Sequence, residues 1–233
     1  MLAVFKREFK SYFSSPLGFI IIAVFTLFSG MAFSMIFSSG SPAVEGVVNF
    51  MSTVVIFATP FITMRLISED RRQKVDQLLL TSPASVTGIV MGKFLAALSL
   101  YAVGLSALVI YPLIISYYAI IDWALYLYAL FGILALGAVM ISVGMFISSL
   151  TESPVVSAAI TFAVFLAVML LGSYASSSSN AILTSVNSAV SFIDRFYSFT
   201  SGLSDLADVV YMVSFSALFV FLTVRSVEKR RWA

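Results

Sequence analysis

The sequence contains no cysteine and no histidine. Their absence excludes disulfides, thiolate chemistry, imidazole metal ligands and every catalytic site that uses histidine as its general acid or base. Charge is also scarce, since 10% of the 233 residues are charged, against about 25% in an ordinary soluble domain. Because 61% of the residues are hydrophobic, a water-soluble fold would lack polar side chains to coat its core. The composition therefore indicates a membrane protein.

Six apolar runs are close to the roughly 20 residues that cross the hydrocarbon core of a bilayer. They cover residues 17–37, 47–66, 94–118, 124–148, 155–172 and 209–224. The first run follows basic residues as a signal peptide would, but it is too long for one and no cleavage pattern follows, so we expect a retained helix. The sequence predicts an all-α polytopic membrane protein, with one transmembrane domain over residues 1–233 and six transmembrane helices.

The distribution of Lys and Arg predicts the orientation, because basic residues near helix ends resist translocation. With the N-terminus in the cytoplasm, every basic residue except Arg195 lies on the cytoplasmic side. The outer loops then carry five acids, Glu45, Asp122, Asp194, Asp205 and Asp208. We therefore expect both termini to be cytoplasmic.

Residues 1–15 predict an amphipathic helix. Its apolar face includes Phe5 and Phe9, and its basic face consists of Lys6, Arg7 and Lys10. This pattern is typical of a helix that lies in the membrane interface, with its cations near anionic lipid headgroups. An ordinary juxtamembrane anchor has the same pattern, so the sequence leaves both interpretations open.

The segment 181–203 is the one place where a seventh span could be argued. Asp194 and Arg195 interrupt its apolar pattern, and both charges would be costly in the middle of the bilayer. We predict instead that residues 173–208 form short re-entrant or interfacial helices on the outer side. Pro60 and Pro112 lie inside predicted spans, and both helices are expected to be kinked there.

The spans hold no ionisable residue near their middle, which disfavours a proton-coupled or sodium-coupled carrier. A phosphate-binding loop is also missing, because the nearest string, Gly88 to Phe94, has the wrong spacing and no hydroxyl after Lys93. We expect no catalytic residue and no bound cofactor or metal. The net charge of +2 gives no basic face for nucleic acid. Another chain would have to supply energy.

The sequence of the loop after the second span predicts a short helix over residues 68–83. Ser68 can cap its N-terminus, and Glu69 and Asp70 suit its first turn. Its apolar residues need a surface to cover them. The helix could fold back on the membrane, or it could dock a cytoplasmic partner.

This loop resembles the six-helix permeases of ABC-2 type ABC transporters, particularly the gliding-motility-associated branch. The matching residues are Glu69, Asp70, Arg71, Arg72, Leu78, Leu79, Leu80, Thr81, Pro83, Ser85, Gly92 and Lys93. The sequence departs from many relatives at Lys74 and Val75, where they carry Gly-Thr, and at Gln77, where Glu is common. The order of predicted helices resembles the same family over the whole chain.

The resemblance implies a type V exporter-like permease in a bacterial inner or plasma membrane. Residues 68–83 would be the coupling helix, with Glu69, Asp70, Arg71, Arg72, Lys74, Leu78, Leu79, Thr81 and Pro83 contacting a separate ATP-binding subunit that holds ATP and Mg²⁺. A second permease subunit, identical or homologous, would complete the path, and Gly132, Gly137, Gly144 and Ala138 are candidates for close helix approach there. Membrane lipid and an auxiliary extracytoplasmic protein are further expected partners. A self-contained channel or carrier, or a membrane scaffold, is the alternative.

Overall fold

The computed structural model describes residues 1–41, 43–72, 85–177, 187, 190–203 and 205–231, and every regular element in these residues is helical. The α-helices are α1 (Leu2–Ser14), α2 (Pro16–Ser38), α3 (Glu45–Thr63), α4 (Ser68–Arg72), α5 (Val86–Gly104), α6 (Ile110–Ile115), α7 (Trp123–Leu150), α8 (Pro154–Ser177), α9 (Phe192–Thr200) and α10 (Leu206–Arg231). A 3₁₀ segment, Leu105–Val109, joins α5 to α6.

Six segments of the described chain are long and apolar enough to cross a membrane, which confirms the predicted spans. They are Pro16–Ser38, Glu45–Arg72, Val86–Ile115, Trp123–Leu150, Pro154–Ala175 and Leu206–Lys229. The third begins well before the predicted residue 94, because the Ser85 hydroxyl caps α5 by accepting a hydrogen bond from the Gly88 N–H at 3.2 Å.

Helix α7 lies at the centre of the bundle, and its glycines bring neighbouring helices close. A methyl group added to Gly137 would lie 2.2 Å from the Tyr101 ring, and one on Gly144 would lie 2.4 Å from the Thr63 hydroxyl. Gly132 faces Phe199 of α9 in the same way. These glycines therefore serve contacts inside the chain, and the prediction that they lie at a subunit interface is wrong.

Pro112 explains the interruption between α5 and α6. Proline has no N–H to donate to the carbonyl of residue 108, so an unbroken α-helix would leave that carbonyl without its usual partner. The Leu108 carbonyl instead accepts a hydrogen bond from the buried Tyr126 hydroxyl of α7. The 3₁₀ interruption thus lies just before Pro112, where a kink was predicted, whereas α3 continues through Pro60 to Thr63.

The two ends of the bundle differ in charge. The basic end holds α1 and the cations Arg65, Lys93 and Arg225, and there Ser149 of α7 donates a hydrogen bond to Ser226 of α10 at 3.0 Å. The acidic end holds Glu45, Asp122, Asp194 and Asp208 at the first turns or caps of α3, α7, α9 and α10.

Helix α9 lies at the acidic end and is nine residues long, which is too short to span a bilayer. Gly202 follows it with a φ of +73°, a conformation that favours glycine. Of the segment 181–203, the described residues therefore contain a short helix and no seventh span. Helix α8 continues to Ser177 and α10 begins at Leu206, so both spans extend into the predicted outer segment 173–208.

Candidate functional site

A buried lysine joins three helices at the basic end. The Lys93 side chain of α5 is 3% exposed, and its Nζ lies 2.8 Å from Asp70 Oδ2 of α4 and 3.1 Å from Glu8 Oε1 of α1. A lysine near a helix end ordinarily extends to solvent, whereas Lys93 is buried in the bundle. A buried ammonium without a counter-charge would be strongly destabilising, so these two carboxylates hold it in place. We call Glu8, Asp70 and Lys93 the Lys93 triad.

Gly92 brings α1 close enough for the triad to form. A methyl group at Gly92 would lie 3.1 Å from both the Met1 carbonyl oxygen and Val4 Cβ, so a larger residue would push α1 away. Glu8 follows Val4 by four residues and thus lies on the same face of α1, next to Lys93. Gly92 therefore allows α1 to pack closely against α5, and Lys93 forms an ion pair with Glu8 of α1.

Helix α4 is held at its start by a residue of α7. The Ser148 hydroxyl accepts hydrogen bonds from the N–H groups of Ile67 and Ser68, at 3.2 and 3.0 Å. The Ser68 hydroxyl donates to the Met64 carbonyl, which continues the turn from α3. These bonds satisfy N–H groups that a helix start leaves without partners, and they fix α4 against the centre of the bundle.

Arg71 joins α4 to the loop between α7 and α8. Its guanidinium donates to the Thr151 carbonyl at 2.8 Å, to the Ser149 carbonyl at 3.3 Å and to Glu152 Oε1 at 2.9 Å. The Arg71 side chain is only 12% exposed. The structure therefore places Arg71 inside the chain, where it positions α4, rather than on a surface offered to a partner.

The remaining predicted loop residues divide into two groups. Glu69 forms an ion pair with Arg65 one turn earlier, with a 3.0 Å hydrogen bond from the guanidinium to Glu69 Oε1, and Arg72 is exposed at the end of α4. Lys74, Leu78, Leu79, Thr81 and Pro83 lie outside the described residues.

Helix α1 combines an aromatic ridge with exposed cations. Rings follow one another from Phe5 to Phe9 to Phe13 with centroids 5.8 and 4.8 Å apart, and Phe13 meets Phe19 of α2 at 6.2 Å. Lys6 and Lys10 are exposed, and Arg7 is exposed but paired with Glu8 at 2.6 Å. The predicted two-faced helix is confirmed as a helix from Leu2 to Ser14.

A sharp turn connects α1 to the first span. Ser15 is extended and Pro16 begins α2, while Gly18 packs so closely that an added methyl group would lie 2.3 Å from the Tyr12 carbonyl oxygen. The Tyr12 hydroxyl donates to the Ile62 carbonyl of α3 at 3.4 Å. Helix α1 is therefore in direct contact with both α2 and α3.

The charges of this region balance. Arg7, Arg65 and Lys93 oppose Glu8, Glu69 and Asp70, and five of the six, all except Lys93, line a cavity of about 330 Å³ between α1 and α4. Burial alone would raise the pKa of Glu8, but the charges and hydrogen bonds of Lys93 and Arg7 outweigh it and lower the pKa below its ordinary value. Glu8 is therefore ionised at neutral pH, and its carboxylate forms an ion pair with Lys93.

Glu8, Ser148 and Glu152 were not identified from the sequence, although each holds a predicted residue in place. Glu8 carried one signal, since it is the only acid in a helix of three cations. Ser148 and Glu152 lie about 80 positions from their partners, and no local pattern relates them.

Among the described residues, no group of three or more acids converges as in a metal site.

The sequence of the chain identifies its family. No curated protein matches it significantly. The family model described as ABC-2 type transporter matches residues 1–181, which include α1, the Lys93 triad and five of the six spans. The chain therefore belongs to the ABC-2 type transporters and is a membrane-spanning permease subunit of an ABC transporter.

Proposed function

We propose that this permease subunit works in an exporter of a bacterial cytoplasmic membrane, as one of two permease subunits, and is driven by a separate ATP-binding subunit that docks on residues 69–83. The basic end is cytoplasmic in this proposal, which agrees with the rule that Lys and Arg stay on that side. ATP and Mg²⁺ are held by the partner, and this chain supplies the path.

The Lys93 triad is the observation that carries the proposal. Asp70 lies at the start of the proposed docking segment, Lys93 lies on the third span and Glu8 lies on α1. A displacement of Asp70 would therefore move α5 and α1, because the ion pairs of Lys93 with Asp70 and Glu8 join the three helices and have little access to water. Buried ion pairs have narrow geometric tolerance, since separating them leaves a desolvated charge. Such a link transmits displacement better than exposed, mobile side chains would.

A second connection directs the same displacement toward the centre of the bundle. Arg71 donates to the Ser149 carbonyl of α7 and to the Thr151 carbonyl just after it, and Ser148 of α7 holds the first turn of α4. Helix α7 ends at Leu150, so both contacts act at its last turn. A partner that pushes on the docking segment would thus move α1, α5 and α7 together. A channel or a passive scaffold has no need of this arrangement.

The proposal of two permease subunits rests on the number of spans. The six spans found in the described part of the chain are half of a usual ABC translocation domain, so a path between two copies would complete it. The mass of the complex purified from its native membrane tests this. Two permease chains for each complex are expected, and a complex with a single permease chain would contradict the dimer.

The docking segment is tested by charge reversal at two of its cations. We would introduce R72E with K74E, because Arg72 is exposed whereas Arg71 bonds the second loop. The tagged chain is purified from its native membrane, and the amount of the co-purified ATP-binding subunit is measured. The matched control is K229E, an exposed cation of α10 at the same end.

We expect a loss of most of the bound subunit in R72E/K74E and an unchanged amount in K229E. An unchanged amount in both variants would contradict docking at residues 69–83. A chain that is purified without any ATP-binding subunit and carries out flux in liposomes alone would support a self-contained carrier. Stable binding with no effect of nucleotide on conformation would support a scaffold.

A further inference from the structure

A cavity of about 700 Å³ lies at the acidic end of the bundle, between α3, α8, α9 and the start of α10. This volume is within the range of small-molecule sites. Ile56, Val168 and Met169 form its apolar wall, which comes from the membrane-spanning helices. Its polar wall comes mainly from α9 and its surroundings and includes Asn187, Asp194 and Tyr197. The cavity therefore combines a wall suited to an alkyl chain with a polar rim.

Arg195 is the one cation among the described residues of this rim, and it is already paired with a carboxylate. Arg195 Nη1 lies 2.7 Å from Asp208 Oδ1, and the Arg195 guanidinium lies 5.0 Å from the centre of the Tyr211 ring. The Asp208 side chain is 8% exposed, and its second oxygen accepts from the Asp205 N–H at 3.3 Å. A ligand anion would have to compete with a buried carboxylate for Arg195, which disfavours phosphate or carboxylate ligands.

Asp194 provides the remaining charge. Its Oδ2 accepts a hydrogen bond from the neutral Asn187 amide at 2.8 Å, and its side chain is exposed. Its Oδ1 lies 3.9 Å from the position of a methyl group on Gly172, so the carboxylate is directed toward α8, over the cavity. Asp194, Arg195 and Asp208 together give the rim one net negative charge, and the sequence between 173 and 193 holds no charged residue that could offset it.

We propose that this cavity binds an amphiphile that has an alkyl chain and a positively charged ammonium head. The ammonium would pair with Asp194 and face the Tyr197 ring, since aromatic faces attract such cations. The alkyl chain would lie against Ile56, Val168 and Met169. The cavity does not depend on the docking of an ATP-binding subunit at the other end. A negative result for this cavity would therefore leave the proposed function untouched, and the reverse also applies.

The test uses dodecyltrimethylammonium with a diazirine in its alkyl chain as the probe. The purified permease complex is placed in phosphatidylglycerol nanodiscs, illuminated with the probe and digested, and the labelled residues are identified by mass spectrometry. We expect labels at positions 56, 168 and 169, and competition by unlabelled dodecyltrimethylammonium. A probe with the same alkyl chain and a sulfonate head is expected to label these positions less.

D194N is the informative variant, and D205N is its matched control, because Asp205 belongs to the same segment but does not line the cavity. We expect D194N to lower labelling about 1.4- to fivefold, the range for an exposed ion pair, and D205N to leave it unchanged. The melting temperature of each variant shows that it is folded. Equal labelling by both probes, or equal labelling of D194N and D205N, would overturn the proposal.

A further arm distinguishes two sources of the ammonium group. Phosphatidylethanolamine added to the nanodiscs lowers the labelling if the ligand is a lipid of the membrane. Competition only by the free alkylammonium indicates a cargo amphiphile instead. Both results support an ammonium site. Labelling spread over the lipid-facing residues of the bundle, without enrichment at the cavity, would contradict it.

Discussion

Lys93 and Asp70 meet at 2.8 Å, although the segment that contains most of the coupling motif lies between them in sequence. Asp70 precedes that segment and Lys93 follows it, so the ion pair closes the loop at its base. Glu8 binds the same ammonium from α1 at 3.1 Å. Asp70 and Lys93 are both among the residues by which this loop resembles ABC-2 permeases. Their ion pair therefore fixes the two ends of the motif to each other.

Loss of the Lys93 charge is expected to destabilise the protein. K93M leaves Glu8 and Asp70 as neighbouring carboxylates without their cation. Breaking a fully buried pair costs about 3–5 kcal/mol, and we expect about 2–4 kcal/mol here because the carboxylates keep some access to solvent. The apparent melting temperature in detergent should therefore fall clearly in K93M and only slightly in K93R.

The matched control for K93M is R225M, which removes an exposed cation from the same end. Arg225 pairs with Glu228 at 2.9 Å, but its side chain is 64% exposed, so the change is expected to be within about 1 kcal/mol. Adding E8Q and D70N to K93M should recover part of the lost stability. A melting temperature of K93M equal to that of R225M would show that the triad has no structural role.

The Glu8 carboxyl should make stability depend on pH. Its pKa is lowered in the folded protein, so its contribution is fully present above the unfolded value of about 4.3. That contribution is lost as the pH falls through the lower folded value. The difference in melting temperature between the natural chain and E8Q, measured from pH 7 to pH 3, should shrink at the acidic end. A difference that grows below pH 4 would contradict this assignment.

Gly92 should tolerate no side chain without a shift of α1. In G92A the new methyl group would lie 3.1 Å from the Met1 carbonyl oxygen, tighter than ordinary contact. We expect faster tryptic cleavage after Lys6 and Lys10, because α1 moves away from α5. The control is G30A, whose methyl group would meet only the Tyr111 hydroxyl at 3.8 Å. Equal cleavage rates in both variants would contradict a role for Gly92 in seating α1.

The six spans could be predicted from sequence because each apolar run is long and uninterrupted. The start of α5 could not, since the polar residues before Phe94 still form helix once Ser85 caps it. The burial of Lys93 was missed for a different reason. A lysine near a helix end is ordinarily hydrated, and only the position of α1, fixed by Gly92, shows that water is replaced by Glu8.

The glycines of α7 illustrate a similar limit. Small residues at regular spacing indicate that something approaches closely, but not whether it belongs to the same chain. Gly137 is covered by Tyr101, whose hydroxyl donates to the Ile133 carbonyl at 2.6 Å. This pairing depends on the relative rotation of α5 and α7, which no local pattern specifies.

The ion pair of the acidic end should behave as a coupled unit. Removing Arg195 in R195M leaves the Asp208 side chain, 8% exposed, without its cation, and the melting temperature should fall. The double variant R195M/D208N should be more stable than R195M, because it removes the unpaired charge. The melting temperatures of the natural chain, R195M, D208N and R195M/D208N form a double-mutant cycle. Strictly additive effects would contradict a direct pair.

The most direct test asks whether α1 responds to nucleotide through Lys93. The chain has no cysteine, so K6C and L150C allow two spin labels, one on α1 and one at the end of α7, without removing other thiols. Both positions are exposed. Distances would be measured by double electron–electron resonance in the assembled complex, with and without ATP.

We predict that ATP shifts the distance between Lys6→Cys and Leu150→Cys when residue 93 is Lys or Arg, and that K93M abolishes the shift while the ATP-binding subunit stays bound. The same shift in K93M, with the partner still bound, would contradict the claim that Lys93 couples the docking segment to the N-terminal helix.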